Sequence, residues 1–183
     1  GQLSESLESL TKSEQLIKDS TPDDMQGSIY LALGIVYQNM KEFDKAIAVF
    51  QKGIEKNTRN WNLHNSLGLT YKFINNLRES LSSYFNAQEI IVSNASHSEI
   101  RKLEDGTETL HTDPHQTYMN LKSSPEYCTV LNNIGGVYLG AGDLESAEKA
   151  FKESIEFIPE GLDYPPPKEG LDLIKNINKE QEK

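Results

Sequence analysis

Apolar residues recur every three or four positions along most of the chain, on both sides of short polar breaks. Side chains at this spacing lie on one face of an α-helix. One stretch carries Ile29, Leu33 and Val36 before a break and Ala46, Phe50 and Ile54 after it. The pattern predicts paired helices, joined at 41–44 (KEFD), 73–76 (FINN) and 140–143 (GAGD).

One set of positions occurs three times at fixed intervals. Each copy has a glycine, a tyrosine at plus 3, a small residue at plus 12 and an aromatic residue at plus 16. The copies are Gly34 with Tyr37, Ala46 and Phe50; Gly68 with Tyr71, Ser80 and Tyr84; and Gly135 with Tyr138, Ala147 and Phe151. Such self-similarity is typical of stacked repeats. Glycine weakens a helix by about 1 kcal/mol relative to alanine. We therefore expect each glycine to allow close approach to the small residue of the facing helix, with aromatic side chains filling the space beside it.

The three copies resemble tetratricopeptide repeats. They lie at 27–60, 61–94 and 128–161. Trp61 at the start of the second copy and Pro159 near the end of the third fit the family pattern, whereas Gly53 and Ser154 stand where the family prefers alanine. The resemblance implies an all-α fold, a right-handed superhelical solenoid of antiparallel helix pairs.

Three further segments complete the predicted organisation: an N-terminal amphipathic packing helix in 1–26, an insertion with short helices at 95–127, and a Pro-rich linker with a C-terminal capping helix at 162–183. Within the first, a helix over 3–19 carries Leu3, Leu7, Leu10 and Ile17 on one stripe. The linker GLDYPPP is expected to be extended. By length the chain is one domain. It lacks the basic start and apolar stretch of a secretory signal, and it can be an excerpt of a longer protein.

Capping residues mark several helix starts. Asp143 is a predicted N-cap, and Thr21-Pro22 and Ser124-Pro125 each offer a capping side chain before a proline at the first helical position. Asp113-Pro114 predicts a short helix in the insertion. Ser96-x-x-Glu99 predicts another over 97–105, and the alternative is a hairpin that turns on Asp105-Gly106.

Charge and hydrophobic content limit the classes of partner that the chain is expected to bind. The chain has 28 acidic and 18 basic residues, a formal charge of -10, and no apolar run long enough to span a bilayer. Such a charge repels nucleic acid. We expect no membrane insertion and a partner segment that is neutral or weakly basic. The single cysteine fits a reducing compartment, so a cytoplasmic location is expected.

Candidate catalytic chemistry is sparse. The sequence contains no GxSxG, P-loop, CxxC or HExxH motif. Cys128 is interpreted as a small buried apolar residue. His111, Asp113 and His115 have spacing that could hold a metal, but they are better interpreted as exposed polar residues around a proline turn. The prediction is a protein that is not an enzyme and that needs no cofactor or metal.

The resemblance implies that the first helix of each repeat lines a concave groove. The candidate peptide-binding residues are Leu31, Ile35, Gln38, Asn39, Asn62, Asn65, Leu69, Lys72, Phe73, Asn132 and Asn133. Leu139 is expected to add a further apolar site. Asparagine is a poor helix former, so five asparagines on these helices are not there for helicity. An amide both donates and accepts, which suits it to pair with the main chain of an extended peptide.

One subgroup of the family holds acidic chaperone tails with a clamp of lysine, arginine and asparagine. The corresponding positions are Leu31, Ile35, Ser66, Thr129 and Asn133. The charges of that clamp are missing, so binding of the dicarboxylate-clamp type is not expected. The leading hypothesis is a scaffold or adaptor that holds a protein or peptide segment in its groove. The alternative is an assembly module whose outer faces or terminal helices mediate self-association or dock a flanking domain.

Overall fold

The computed structural model describes residues 2–102 and 107–181. They form two compact units, unit 1 at 1–87 and unit 2 at 88–183, where chain length alone predicted one domain. The boundary falls inside one helix. The first part of that helix packs in unit 1, and its last part donates and accepts hydrogen bonds in unit 2, from Gln88 to Tyr127 and from Asn120 to Ala95.

The described residues are mostly helical. The helices of unit 1 are α1 (Gln2–Gln15), α2 (Asp23–Asn39), α3 (Phe43–Lys56) and α4 (Trp61–Phe73), and α5 (Leu77–Ala95) crosses the boundary. Unit 2 contains strands β1 (His97–Lys102) and β2 (Glu108–Asp113), then α6 (Pro114–Lys122), α7 (Pro125–Gly140), α8 (Leu144–Glu156) and α9 (Pro166–Gln181). The predicted all-α class is confirmed for the helix pairs α2–α3, α4–α5 and α7–α8, and one hairpin is added to it.

Each helix pair is closed by a glycine that faces an aromatic ring. A Cβ on Gly68 would lie 2.9 Å from the ring of Tyr84, and one on Gly135 would lie 2.7 Å from the ring of Phe151. Gly34 meets the ring of Phe50 in the same way. Such separations are shorter than carbon atoms tolerate, so only glycine fits. The predicted close approach is confirmed, with one difference: the nearest atoms belong to the ring at plus 16, not to the small residue at plus 12.

The small residues at plus 12 lie in the same interfaces. Ala46, Ser80 and Ala147 are each fully buried. The Ser80 hydroxyl donates to the Gly68 carbonyl oxygen at 2.8 Å, which satisfies the one polar side chain at this position. A repeat can therefore accept serine here without leaving a buried hydroxyl unpaired.

Terminal segments complete each core. Leu7, Leu10 and Ile17 pack against Tyr30, Leu33 and Val49. Leu3 is 42% exposed, and Ile17 lies beyond the end of α1, so the helix is shorter than the predicted 3–19. In unit 2, Leu171 and Ile174 of α9 pack against Ala147 and Phe151. The segment GLDYPPP was predicted to be extended, but its last two residues, Pro166 and Pro167, already belong to α9.

The helix starts agree with the capping residues in three of four cases. Asp143, Ser124 and Asp113 each accept a backbone N–H at the start of their helix. For α2 the prediction was wrong: Pro22 itself is the N-cap and Thr21 does not cap. The Pro22 carbonyl accepts the Gln26 N–H instead.

The helix predicted over 97–105 is wrong, and the hairpin alternative is correct for the strands. β1 and β2 are antiparallel, from His97 opposite Asp113 to Lys102 opposite Glu108. Ser98 and Thr112 add a side-chain hydrogen bond of 3.0 Å across the pair. A nine-residue helix is marginal in water, and pairing with a later segment outweighs its capping signal. The Asp105-Gly106 turn lies outside the described residues.

The glycine contacts predict opposite effects of one substitution at two sites of α7. Gly135→Ala places a Cβ against the Phe151 ring and should lower the free energy of unfolding by about 1 to 3 kcal/mol. Gly140→Ala meets no atom within 4 Å and should leave stability unchanged or raise it by up to about 1 kcal/mol. Urea denaturation followed by circular dichroism measures both. Equal effects would contradict the packing described.

Tyr84 supplies a second prediction. Its side chain is fully buried, and its hydroxyl has no hydrogen-bond partner among the described residues. A buried unpaired polar group costs about 1 to 3 kcal/mol, and the equivalent residues Phe50 and Phe151 lack the hydroxyl. Tyr84→Phe should therefore keep or increase stability, as measured by urea denaturation with the fluorescence of Trp61.

Tyr127→Phe is the matched control. The Tyr127 hydroxyl accepts from Gln88 at 3.4 Å and donates to Glu153 at 3.3 Å, so its removal should cost about 1 kcal/mol. If Tyr84→Phe destabilises the chain as much as this control does, the hydroxyl of Tyr84 is not unpaired in solution.

Candidate functional site

In unit 1 the candidate residues lie on α2 and α4. These are the first helices of two successive pairs, and they contact each other as well as α3. Asn60 caps α4 by accepting the Asn62 N–H at 3.1 Å, which fixes where the helix begins. We call the candidate side chains of α2 and α4 the unit 1 face.

On the α2 part of this face, some side chains are exposed and others make contacts within unit 1. Ile35 is 38% exposed and Asn39 is exposed. Leu31, by contrast, is half-buried and packs against the core that contains Phe50. The Gln38 amide nitrogen donates to the Thr70 hydroxyl at 3.0 Å. Leu31 and Gln38 therefore hold α2 against α4, which leaves them less of their surface for a partner than the sequence suggested.

The α4 part becomes more exposed towards its C-terminal end. Asn62, Asn65 and Leu69 are half-buried. Burial lowers the pKa of the half-buried Lys72 ammonium. Phe73, the last residue of the helix, is 58% exposed.

Phe43 was not among the candidates, although it contacts one of them. Its ring centroid lies 5.7 Å from that of Phe73, with the planes inclined at 31°. Ile74 beside them is 41% exposed. Phe43 belongs to a second helix, so a rule that counts only first helices misses it; an aromatic residue inside the polar break KEFD was the available signal.

In unit 2 the candidates are Asn132 and Asn133 of α7, both half-buried. Burial raises the pKa of the Tyr164 hydroxyl, and side-chain hydrogen bonds with Thr129 and Asn132 act against that rise. A residue of the predicted linker thus lies against α7 and engages one candidate amide. Nothing in the local pattern around Tyr164 predicts this contact, because it joins segments more than 30 residues apart in the chain.

Leu139 was expected in the groove, and this is corrected by its packing. It is half-buried against Ala147, Phe151 and Ile174. Part of this apolar side chain is therefore used for the core of unit 2.

Asp113 and Cys128, two of the groups considered for catalysis or metal binding, make structural hydrogen bonds. Asp113 accepts the backbone N–H of His115 at 2.9 Å and of Gln116 at 3.1 Å, and the hydrogen bond from Gln116 is the main cause that lowers the pKa of its carboxyl. Cys128 is fully buried, and its thiol donates to the Pro125 carbonyl at 3.2 Å. Burial raises the pKa of that thiol, which disfavours the nucleophilic thiolate.

Over 2–102 and 107–181, no three His, Cys, Asp or Glu side chains converge as metal ligands would. Across the same part of the chain, no helix combines the length and apolar character that a membrane span requires.

Comparison with known proteins agrees with the packing. A family model described as tetratricopeptide repeat matches residues 27–57 and 129–160. Comparison with curated protein sequences gives no significant match. The second copy, 61–94, is not part of the family-model match, but Gly68 and Tyr84 make the same contact there as in the matched copies.

Several solved structures are similar. MamA shares 21% identity over 86% of this chain and 69% of that chain, with a TM-score of 0.60. BtubC (BKLC) from P. vanneervenii shares 16% identity over 100% of this chain and 75% of that chain, with a TM-score of 0.67. The first TPR of Spaghetti (RPAP3), bound to HSP90 peptide SRMEEVD, shares 14% identity over 87% of this chain and 95% of that chain, with a TM-score of 0.58. At these identities the likeness concerns the fold. Together with the repeated glycine–aromatic packing, the family-model matches identify tetratricopeptide repeats at 27–57 and 129–160, in a chain whose fold is of that kind.

Proposed function

We propose that the protein is an adaptor that holds an extended segment of a partner protein on the faces of its first helices. A fold of this kind serves as a scaffold for protein–protein interaction in general. The observation that carries the proposal is the unit 1 face, where Ile35 and Phe73 remain 38% and 58% exposed beside the exposed amide of Asn39. In unit 2, α7 offers the half-buried amides of Asn132 and Asn133.

The chemistry of the face suits main-chain recognition. Amide side chains can donate to a peptide carbonyl and accept from a peptide N–H, whatever the peptide sequence. Exposed apolar side chains between them can bury parts of the ligand and contribute about 25 cal/mol for each Å² removed from water. Affinity would then come from the backbone and the apolar anchors together.

A bound peptide is seen in one structural relative, the RPAP3 domain with the HSP90 peptide SRMEEVD. That example supports peptide binding by this fold. Here the positions of the chaperone-tail clamp are Leu31, Ile35, Ser66, Thr129 and Asn133, which lack its charges. We therefore propose a different partner segment. No catalytic step or cofactor is part of the proposal, and a cytoplasmic location is part of it.

An assembly role is the second candidate, because the terminal elements expose leucines. Leu16 after α1 is 73% exposed, and Leu173 on α9 is 50% exposed. These side chains could join copies of the chain or dock a neighbouring domain. Sedimentation of the chain with and without residues 1–20 separates the candidates: association that disappears with the segment favours assembly, and a monomer in both cases removes self-association through it.

The adaptor proposal predicts that two asparagines matter for binding. Asn65→Ala and Asn132→Ala together should reduce capture of a partner from native lysate, and affinity for the purified partner should fall about fivefold or more, because two main-chain hydrogen bonds of roughly 0.5 to 1.5 kcal/mol each are lost. Titration calorimetry measures the affinity, and thermal melts check that the variants fold.

The matched control is Asn86→Ala with Asn176→Ala, two exposed asparagines on α5 and α9. This pair should bind like the unchanged chain. Equal affinity of the candidate pair and the control pair would exclude the first-helix faces as the binding surface.

A further inference from the structure

One segment of unit 2 lies on the candidate face of α7. It covers residues 160–165, between α8 and α9, and we call it the Tyr164 segment. The Tyr164 hydroxyl makes side-chain hydrogen bonds with Thr129 and Asn132. These two residues are three positions apart on α7, so their side chains are neighbours on one side of the helix. The amide that the adaptor proposal assigns to a partner is therefore already engaged by the chain itself.

The two α7 side chains are complementary to the hydroxyl of a tyrosine. The Thr129 hydroxyl donates to the Pro125 carbonyl at 2.8 Å, so its oxygen is left to accept the Tyr164 O–H. The Asn132 amide can donate to the Tyr164 oxygen. A phenol is thus satisfied both as a donor and as an acceptor, while half of its surface is removed from water.

Little else holds the Tyr164 segment in place. Residues 160–163 and Pro165 are exposed, with Leu162 exposed by 44%. Among the described residues, the backbone N–H groups of Asp163 and Tyr164 form no backbone hydrogen bond. Segments with few buried apolar contacts and few backbone hydrogen bonds open at a low free energy. Tyr164 is therefore the anchor on which the position of the segment depends.

Helix α9 is docked by other side chains. Ile174 is 3% exposed and packs against the cluster that contains Phe151. Pro167, in the first turn of the helix, is fully buried. Displacement of Tyr164 from α7 therefore uncovers the amide of Asn132 and leaves the core of unit 2 closed.

We propose that the Tyr164 segment is an internal ligand of the α7 face, and that a partner segment reaches Asn132 by displacing it with a tyrosine of its own. The partner segment is extended and carries tyrosine beside proline, as residues 163–166 (DYPP) do here. Tethering gives the internal tyrosine a high effective concentration, which suppresses weak competitors. The inference rests on the proposed adaptor function and adds a control to its surface in unit 2.

The test is a selection from a random peptide library, run in parallel on the unchanged full chain and on Tyr164→Ala. Titration calorimetry then measures the selected peptides on each chain. Peptides selected on Tyr164→Ala should be enriched in tyrosine next to proline. They should bind that variant about tenfold more tightly than the unchanged chain, because a face that is rarely open lowers the apparent affinity. Tyr164→Phe should give a gain of about threefold, because the ring still competes without its hydroxyl contacts.

A double substitution separates displacement from ordinary packing. In a chain that carries Asn132→Ala, Tyr164→Ala should raise peptide affinity by less than about twofold, because the internal and the added tyrosine lose the same partner. Leu162→Ala is the matched control, since it changes an exposed residue of the same segment, and it should bind the peptides as the unchanged chain does. Thermal melts of the Tyr164 variants should stay close to that of the unchanged chain, because the core of unit 2 remains closed.

The remaining outcomes are distinct. Peptides without tyrosine, peptides that bind Tyr164→Ala and the unchanged chain equally, or a full gain that persists with Asn132→Ala would each overturn this inference. The adaptor proposal would still stand if those peptides lose affinity on Asn65→Ala or Asn132→Ala. Two selections that yield no binding peptide at all would overturn both.

Discussion

The contact between a glycine of one helix and an aromatic ring of the next supports the rest of the structure. Gly34, Gly68 and Gly135 each leave room for a ring that a side chain would exclude. The ring is buried in every copy, with Phe50 and Tyr84 fully enclosed and Phe151 3% exposed. These contacts lie between the two helices of each pair, and Ile35 of α2 and Phe73 of α4 stay exposed outside them. The side chains left exposed on the first helices are therefore those that the packing of the pairs does not use.

The same contact recurs beyond the repeats. In unit 2, a Cβ on Gly170 of α9 would lie 2.5 Å from the Phe151 ring, so the ring is enclosed between two glycines on different helices. Leu139 of α7 is half-buried and packs against the core cluster that contains Phe151. Packing thus decides how much of each apolar side chain of the first helices stays exposed: Ile35 and Phe73 are exposed, and Leu31 is half-buried.

The repeat spacing was enough to predict the helix pairs, their glycines and several caps, because these depend on interactions within about 16 residues. The errors have two causes, which are a competing local pairing at 97–113 and a contact between segments far apart in the chain. Cross-strand pairing of 97–102 with 108–113 replaced a predicted helix, and the Tyr164 contact with Asn132 joined a linker to α7. For the candidate site, the pattern located the helices correctly but could not show which side chains the neighbouring helix covers. Phe43 was missed because its ring reaches the unit 1 face from a second helix.

Hydrogen–deuterium exchange of the chain with and without a saturating bound peptide tests the central claim most directly. If the partner lies on first-helix faces, added protection should concentrate in α2 and α4 of unit 1 and in α7 of unit 2, and should spare α3 beyond its first turn and the first part of α5. Protection concentrated in α3, α5 or the terminal helices, with α2, α4 and α7 unchanged, would contradict the account.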